Sequence, residues 1–217
     1  MAKPMEDRLR DVYGAGGDQS VLNDLYDDWA RDYEKDHFST GNPRIALTVG
    51  LTVRHIPDTD ARILDSGCGT GILAAILQGL GYTQLVGIDG SDGMLEVSAA
   101  RNCYSELHKM LLGADLDFPD ESFDAVIATG VLATGHAPPD CLDGILGIAR
   151  PGAPIIFSIS EATYDEYGYR EKIAALEAAG AWAPVEKGEK FQPHPLLENH
   201  DDVLHWLDVY RKGFTTP

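Results

Sequence analysis

Ile63-Leu64-Asp65-Ser66-Gly67-Cys68-Gly69-Thr70-Gly71 is the stretch on which the fold turns. A short apolar run ends on a carboxylate, and glycines follow at alternate positions. Ile72-Leu73-Ala74-Ala75-Ile76-Leu77 then continues at the apolar density of a buried helix. This reads as strand, tight turn and helix. Glycine lets the backbone bend sharply and lets a ligand come close to it. The first N–H groups of the helix point toward the turn without intrahelical partners. In an open α/β sheet such a turn lies at the carboxyl edge, where ligands bind.

The dinucleotide fingerprint is G-x-G-x-x-G. Here the spacing is G-x-G-x-G, with Asp65 two residues before the first glycine. A carboxylate so near would repel a pyrophosphate. It suits a ligand that carries an amine and a sulfonium. Val86-Gly87-Ile88-Asp89 is a second strand closing on an acid. A carboxylate at that place accepts hydrogen bonds from ribose hydroxyls.

Outward from this core, short apolar runs alternate with helical stretches. Strands are expected at 61–67, 84–90, 109–115, 123–129 and 153–160, with two weaker ones at 183–191 and 204–210. Helices are expected at 70–80, 91–102, 138–149 and 164–180. The runs lack clean alternation, as strands covered on both faces do. The pattern predicts a doubly wound, mostly parallel, seven-stranded α/β sheet. The last strand follows no crossover helix, so it is expected to enter antiparallel. Before the sheet, residues 1–18 read as a mobile arm. Leu22, Leu25, Tyr26, Trp29 and Tyr33 mark a helix over 18–38, and Asn42-Pro43 opens another to His55. The expected division is an arm and helical lid at 1–58 and a ligand-binding α/β domain at 59–217.

The chain has 217 residues, 35 Asp and Glu against 17 Lys and Arg, and a formal charge of −18. Such a surface is repelled by phosphate backbones and anionic membranes, which argues against nucleic-acid and membrane partners. No apolar stretch reaches membrane-spanning length. The three cysteines, Cys68, Cys103 and Cys141, give no disulfide framework, so a reduced, cytoplasmic setting is expected. His194, His200 and His205 have no metal-ligand spacing with cysteine, and no metal is expected.

ILDSGCGTG, VGIDGSDGML, GADLDFPDESFDAVIATGVL and ARPGAPIIFSI resemble the successive motifs of class I S-adenosylmethionine-dependent methyltransferases. More narrowly, GVLATGHAPPDCLDGILGIARPGAP is similar to the methyltransferase-like proteins named after the Williams–Beuren syndrome region. The resemblance implies a Rossmann-like methyltransferase fold with S-adenosyl-L-methionine as cofactor and S-adenosyl-L-homocysteine as product. It implies that Asp65 and Gly67 hold the methionine amine and that Gly69 and Gly71 shape the turn. Asp89 would bind the ribose diol and Met94 pack on the adenine. Asp115 would accept from the adenine amino group, beside the Leu116 backbone. Thr129 would sit near the methionine end, with Tyr33 and Trp29 covering the cofactor from the N-terminal helix.

Sulfonium methyl transfer needs alignment and exclusion of water more than it needs a protein nucleophile. The absence of a recognisable triad is therefore consistent with it. His136 follows the fourth strand in TGVLATGH, and a histidine there is placed to take an acceptor's proton at neutral pH. The expected acceptor is a small molecule, since no basic groove or aromatic base platform is evident. The competing readings are a nucleotide-cofactor reductase, which the glycine spacing disfavours, and a module that binds the cofactor without turnover.

Overall fold

The computed structural model describes residues 3–113, 115–133, 135–198 and 203–214. His200, and Thr134 of the His136 loop, lie outside the described residues. The strands are β1 (Ile63–Ser66), β2 (Leu85–Asp89), β3 (Glu106–Lys109), β4 (Ala125–Leu132), β5 (Pro154–Ser160), β6 (Trp182–Lys187) and β7 (His205–Lys212). They form one sheet in the order β3-β2-β1-β4-β5-β7-β6. β1 to β5 pair in parallel. β7 runs antiparallel between β5 and β6. The order reverses between β2-β1 and β4, so the β1 turn stands at the switch point, where crossovers leave a crevice.

The helices are α1 (Met5–Gly14), α2 (Gln19–Trp29), α3 (Tyr33–Ser39), α4 (Arg44–His55), α5 (Ile72–Gly79), α6 (Asp92–Ala99), α7 (Cys141–Ile148), α8 (Glu161–Glu166) and α9 (Tyr169–Ala178). Strand residues alternate between two buried layers. Leu64, Val126, Ile155 and Phe157 pack against α7 and α9, including Leu142, Ile145 and Ile173. Ile63, Ala125, Ile127 and Val209 pack against α4 and α5, including Val49, Leu73 and Leu77. Each such buried Leu, Ile, Val or Phe side chain contributes about 1.5–3 kcal/mol relative to exposure. These two layers are why the central strands read as unbroken apolar runs.

The N-terminal segment departs from the expected mobile arm. Met5, Leu9 and Val12 recur on one face of α1 and bury against Leu22 and Trp29 of α2 in a third apolar cluster. The helix expected over 18–38 is two. Asp18 caps α2 by accepting from the N–H groups of Ser20 and Val21. α2 ends at Trp29, whose indole donates to Asp36 of α3 at 2.8 Å and ties the two helices together. The helix expected over 164–180 is also two, α8 and α9, parted at the left-handed Gly168. The third strand lies earlier than expected, at 106–109 rather than 109–115. Glu-Leu-His-Lys sits at the sheet edge, where polar residues belong. The apolar Met110-Leu111-Leu112 that suggested a strand instead walls a cavity.

Candidate functional site

Gly67, Gly69 and Gly71 have φ of 71°, 53° and 78°, the left-handed region that favours glycine. This lets the chain leave β1, turn, and start α5 with Gly71 at its N-cap. A Cβ on Gly67 would stand 2.8 Å from Val131 Cβ, and one on Gly71 would stand 2.7 Å from Ser98 Oγ. The turn therefore fits between β4 and α6 only without side chains.

Asp89 ends β2 beside this turn. Its Oδ2 accepts from Gly69 N at 2.8 Å and its Oδ1 from Ser91 N at 2.9 Å. Burial raises its pKa, and these backbone donors pull it back toward the ionised form. Asp65 is buried, and its Oδ2 accepts from the Tyr104 hydroxyl at 2.6 Å. Burial lifts the Asp65 pKa to about 7, the Tyr104 bond opposes the rise, and the Asp89 carboxylate adds to it. Among the described residues Asp65 makes no ion pair. A cationic ligand group beside it would restore its charge.

β4 carries a register shift between Ala128 and Leu132 where it pairs with β5. Irregular strand ends of this kind re-aim side chains at functional edges. Here the shift presents Thr129, Gly130 and Val131 to a cavity of about 330 Å³. That volume falls in the range of small-molecule sites, roughly 300–1,000 Å³. The glycine turn and Asp89 form one end, with Met94 and the Met110–Gly113 segment as a wall. His136 and Pro138 stand at the other end, and α2 roofs it with Leu22, Asn23 and Tyr26. A smaller cavity of about 60 Å³ adjoins, bordered by Asp65, Thr70, Tyr33, Asn42 and Arg44.

α2 is fastened on both banks. Asp27 accepts from Ser91 Oγ and from Gly93 N on the α6 side. On the other bank, Gln19 Nε2 donates to the carbonyls of Gly135 and His136, and the Tyr26 hydroxyl lies 2.8 Å from His136 Nε2.

The structure thus brings together Tyr33, Asp65, Gly67, Gly69, Asp89, Met94, Thr129 and His136 around two adjoining cavities. Gly71 shapes the turn from outside them. Trp29 does not line either cavity. It is buried between α1 and α3, stacked on Tyr26 with ring centres 6.1 Å apart. Asp115 is exposed, and Leu116 packs on the core below β4, so neither lines the cavities. Sequence reasoning passed over Gln19, Asn23, Tyr26, Arg44, Tyr104 and Leu111. For α2 a signal existed: positions 19, 22, 23 and 26 fall on one helical face, with polar residues beside apolar ones. Arg44 and Tyr104 carry no local pattern.

A cradle of glycine backbone, a buried Asp65 and a half-buried Asp89 at two adjacent strand ends, and an apolar wall fit an adenosyl ligand bearing an amino-acid tail. The comparisons agree. Residues 64–157 match the methyltransferase domain family. Methyltransferase-like protein 27 of Homo sapiens is 36% identical over 182 residues, 81% of this chain and 73% of that protein. Demethylmenaquinone methyltransferase of Clavibacter sepedonicus is 32% identical over 61% of this chain, which spans only 55% of that enzyme's length. The crystal structure of magnesium protoporphyrin IX methyltransferase from Synechocystis with bound S-adenosylhomocysteine has a TM-score of 0.67 and 16% identity. It covers 90% of this chain and 100% of its own, and shows a shared fold. A tRNA U34 carboxymethyltransferase of Methylococcus capsulatus is 33% identical over 46% of this chain and 32% of its own length. The relatives therefore lend no support to excluding nucleic acid, which rests on the charge and on the lack of a basic groove or aromatic base platform in the sequence. No helix among the described residues is long and apolar enough to cross a membrane.

Proposed function

The chain belongs to the S-adenosylmethionine-dependent methyltransferases, and we propose that it methylates a small-molecule acceptor enclosed between α2 and the loop after β4. The observation that carries this reading is one cavity shared by two sets of residues. Gly67, Gly69, Asp89 and Met94 stand at one end, and Tyr26 and His136 at the other. The α2 roof leaves a partly covered space suited to a small ligand. One relative is named for methylating demethylmenaquinone, a small molecule.

In this reading Asp89 accepts from the ribose hydroxyls and Met94 packs against the adenine. The Leu111–Gly113 segment lies along the ring edge, a place the sequence had given to Asp115 and Leu116. Asp65 is the counter-charge for the methionine ammonium, and Thr129 borders the sulfonium. The cofactor supplies an electrophilic methyl group on a sulfonium whose leaving group is a neutral thioether. The protein's part is to align an acceptor about 3–3.5 Å from that methyl carbon and to keep water out.

His136 is the proton acceptor of this proposal, and Tyr26 connects it to the cavity. Burial, then the neighbouring Tyr33 and Tyr13, hold the Tyr26 phenol well above its ordinary pKa, so the hydroxyl stays protonated. With His136 as the Nδ1–H tautomer, it donates to His136 Nε2 across 2.8 Å. As the acceptor's lone pair attacks, its O–H or N–H proton passes to the Tyr26 oxygen, and the Tyr26 proton passes to Nε2. The moving lid is α1 to α3, since α4 packs on the sheet through Ile45, Val49 and Leu51.

The test is a metabolite-pool screen with methyl-labelled cofactor, read by mass spectrometry. A labelled small molecule is expected. Label found only in tRNA or protein fractions would overturn the small-molecule assignment. With the acceptor known, His136→Asn should keep cofactor affinity and lower turnover by roughly 10²-fold or more, the scale of general-base loss. The alkaline-rising limb of the pH–rate profile should vanish with it. Full activity in that variant would leave positioning as the whole mechanism.

A further inference from the structure

Beyond Gly130 the main cavity meets a chamber of about 40 Å³. Tyr26, Tyr33, Gly130 and His136 border both spaces, so the chamber adjoins the acceptor end. Its other walls include Tyr13, His37, Arg44, Ser158 and His205. In a chain with formal charge −18, none of the described residues lining it is an aspartate or glutamate.

Arg44 is the charge of this chamber. Among the described residues it forms no ion pair, and its buried Nε has no hydrogen-bond partner. Gly130, at φ 81°, leaves room for it: a Cβ there would stand 2.9 Å from the Arg44 Cζ. The surrounding groups carry no opposing charge. Burial, then the Arg44 guanidinium, holds His37 well below its ordinary pKa and His205 down at about 3, so both are neutral at pH 7. Burial raises the Tyr13 and Tyr33 phenols, which remain neutral donors. A half-buried cation surrounded by neutral donors, with no ion pair among the described residues, is matched by an anion. The volume is near the share of one liquid water, roughly 30 Å³, so the chamber takes a headgroup and not a whole ligand. A single guanidinium fork matches one planar carboxylate in charge and in shape.

We propose that this chamber holds a carboxylate of the methyl acceptor, with Arg44 as its counter-ion, so that the substrates are small organic acids. The proposal rests on the main cavity being the cofactor site. It places the acid group beyond Gly130 and the reacting atom beside Tyr26. The cofactor's own methionine carboxylate is the other source of such a group, because Arg44 also borders the Asp65 cavity.

The experiment separates the two sources. Full-length protein is saturated with S-adenosylhomocysteine, which fills the cofactor's carboxylate position. Acetate, phenylacetate and benzoate, and their primary amides, are then titrated by calorimetry. Each bound acid is expected to exceed its amide by roughly tenfold or more, the scale of a hydrogen bond to a charged group. Arg44→Gln should abolish that preference, and Arg44→Lys should keep part of it, with folding of both checked by thermal unfolding. No preference for any acid in the wild-type complex overturns the proposal. So does Arg44→Gln that weakens S-adenosylhomocysteine tenfold yet leaves the acid preference intact, which assigns Arg44 to the cofactor alone. Failure of S-adenosylhomocysteine to bind the wild-type protein is a different result and overturns the cofactor reading itself.

Discussion

Asp65 and Asp89 end adjacent strands, and their environments set them different tasks. Asp89 has two backbone donors that favour its charge, so it is ready to accept from neutral hydroxyls. Asp89→Ala should weaken S-adenosylmethionine and S-adenosylhomocysteine alike by about 1.5–3 kcal/mol, measured by calorimetry. Unchanged affinity in a folded variant removes the ribose assignment. Asp65 is held at a pKa of about 7, above the 3.8 of the free side chain. The folded state therefore favours its protonated form, and the group lowers stability progressively as pH rises from about 4 to 7. Asp65→Asn imitates the protonated form. Without ligand it should raise Tm at pH 8, by roughly 2–4 °C for each kcal/mol gained in a chain of this length, with no gain near pH 4. The same variant should bind the cofactor more weakly, because the ammonium loses its partner. Scanning calorimetry at the two pH values and a binding titration check both signs. A variant no more stable than the wild type at pH 8 would mean that the carboxyl is ionised without cost.

At the scale of elements, α2 is bridged to α6 through Asp27 and to the loop after β4 through Gln19 and Tyr26. The cavity lies beneath it and is partly open to solvent, so these bonds set how firmly the roof holds over a ligand. Hydrogen exchange over residues 18–38 should slow when S-adenosylhomocysteine is added. Asp27→Ala should speed that exchange and raise the ligand's dissociation rate several-fold, the scale of one charged hydrogen bond. Equal protection with and without ligand would make α2 fixed structure. The glycine turn and the strand-ending acids were legible because residue type alone encodes them: φ above zero calls for glycine, and an acid after an apolar run stands out. The rest depended on partners distant in sequence. α1 carries its apolar stripe at only Met5, Leu9 and Val12 among charges, and it is a helix because Trp29 completes its cluster. β3 is polar because it has a single neighbour. Met110 to Leu112 are apolar because they face a cavity, which imitates a strand in the sequence.

Over the whole molecule, the excess of acids sets a repulsion that compact folding must oppose. Raising NaCl from about 0.05 to 1 M shortens the screening length to about 3 Å and should raise Tm. Exposed ion pairs such as Lys109–Asp92 are worth little and should not reverse the trend. A flat or falling Tm would show that acids and bases are already balanced locally. The sheet order carries a different consequence, concerning birth of the chain rather than its equilibrium. β7 lies between β5 and β6 but follows both in sequence. On the ribosome, β5 emerges with one flank bare, and β6 emerges with no neighbour to accept it. Neither flank is closed until His205–Lys212 has cleared the exit tunnel. Through that interval the exposed main chain of β5, carrying Ile155, Ile156, Phe157 and Ile159, is an adhesive edge to any neighbouring nascent protein. Yield in a cell should therefore depend on how quickly the segment between β6 and β7 is translated, a sensitivity to codon choice written into the strand order.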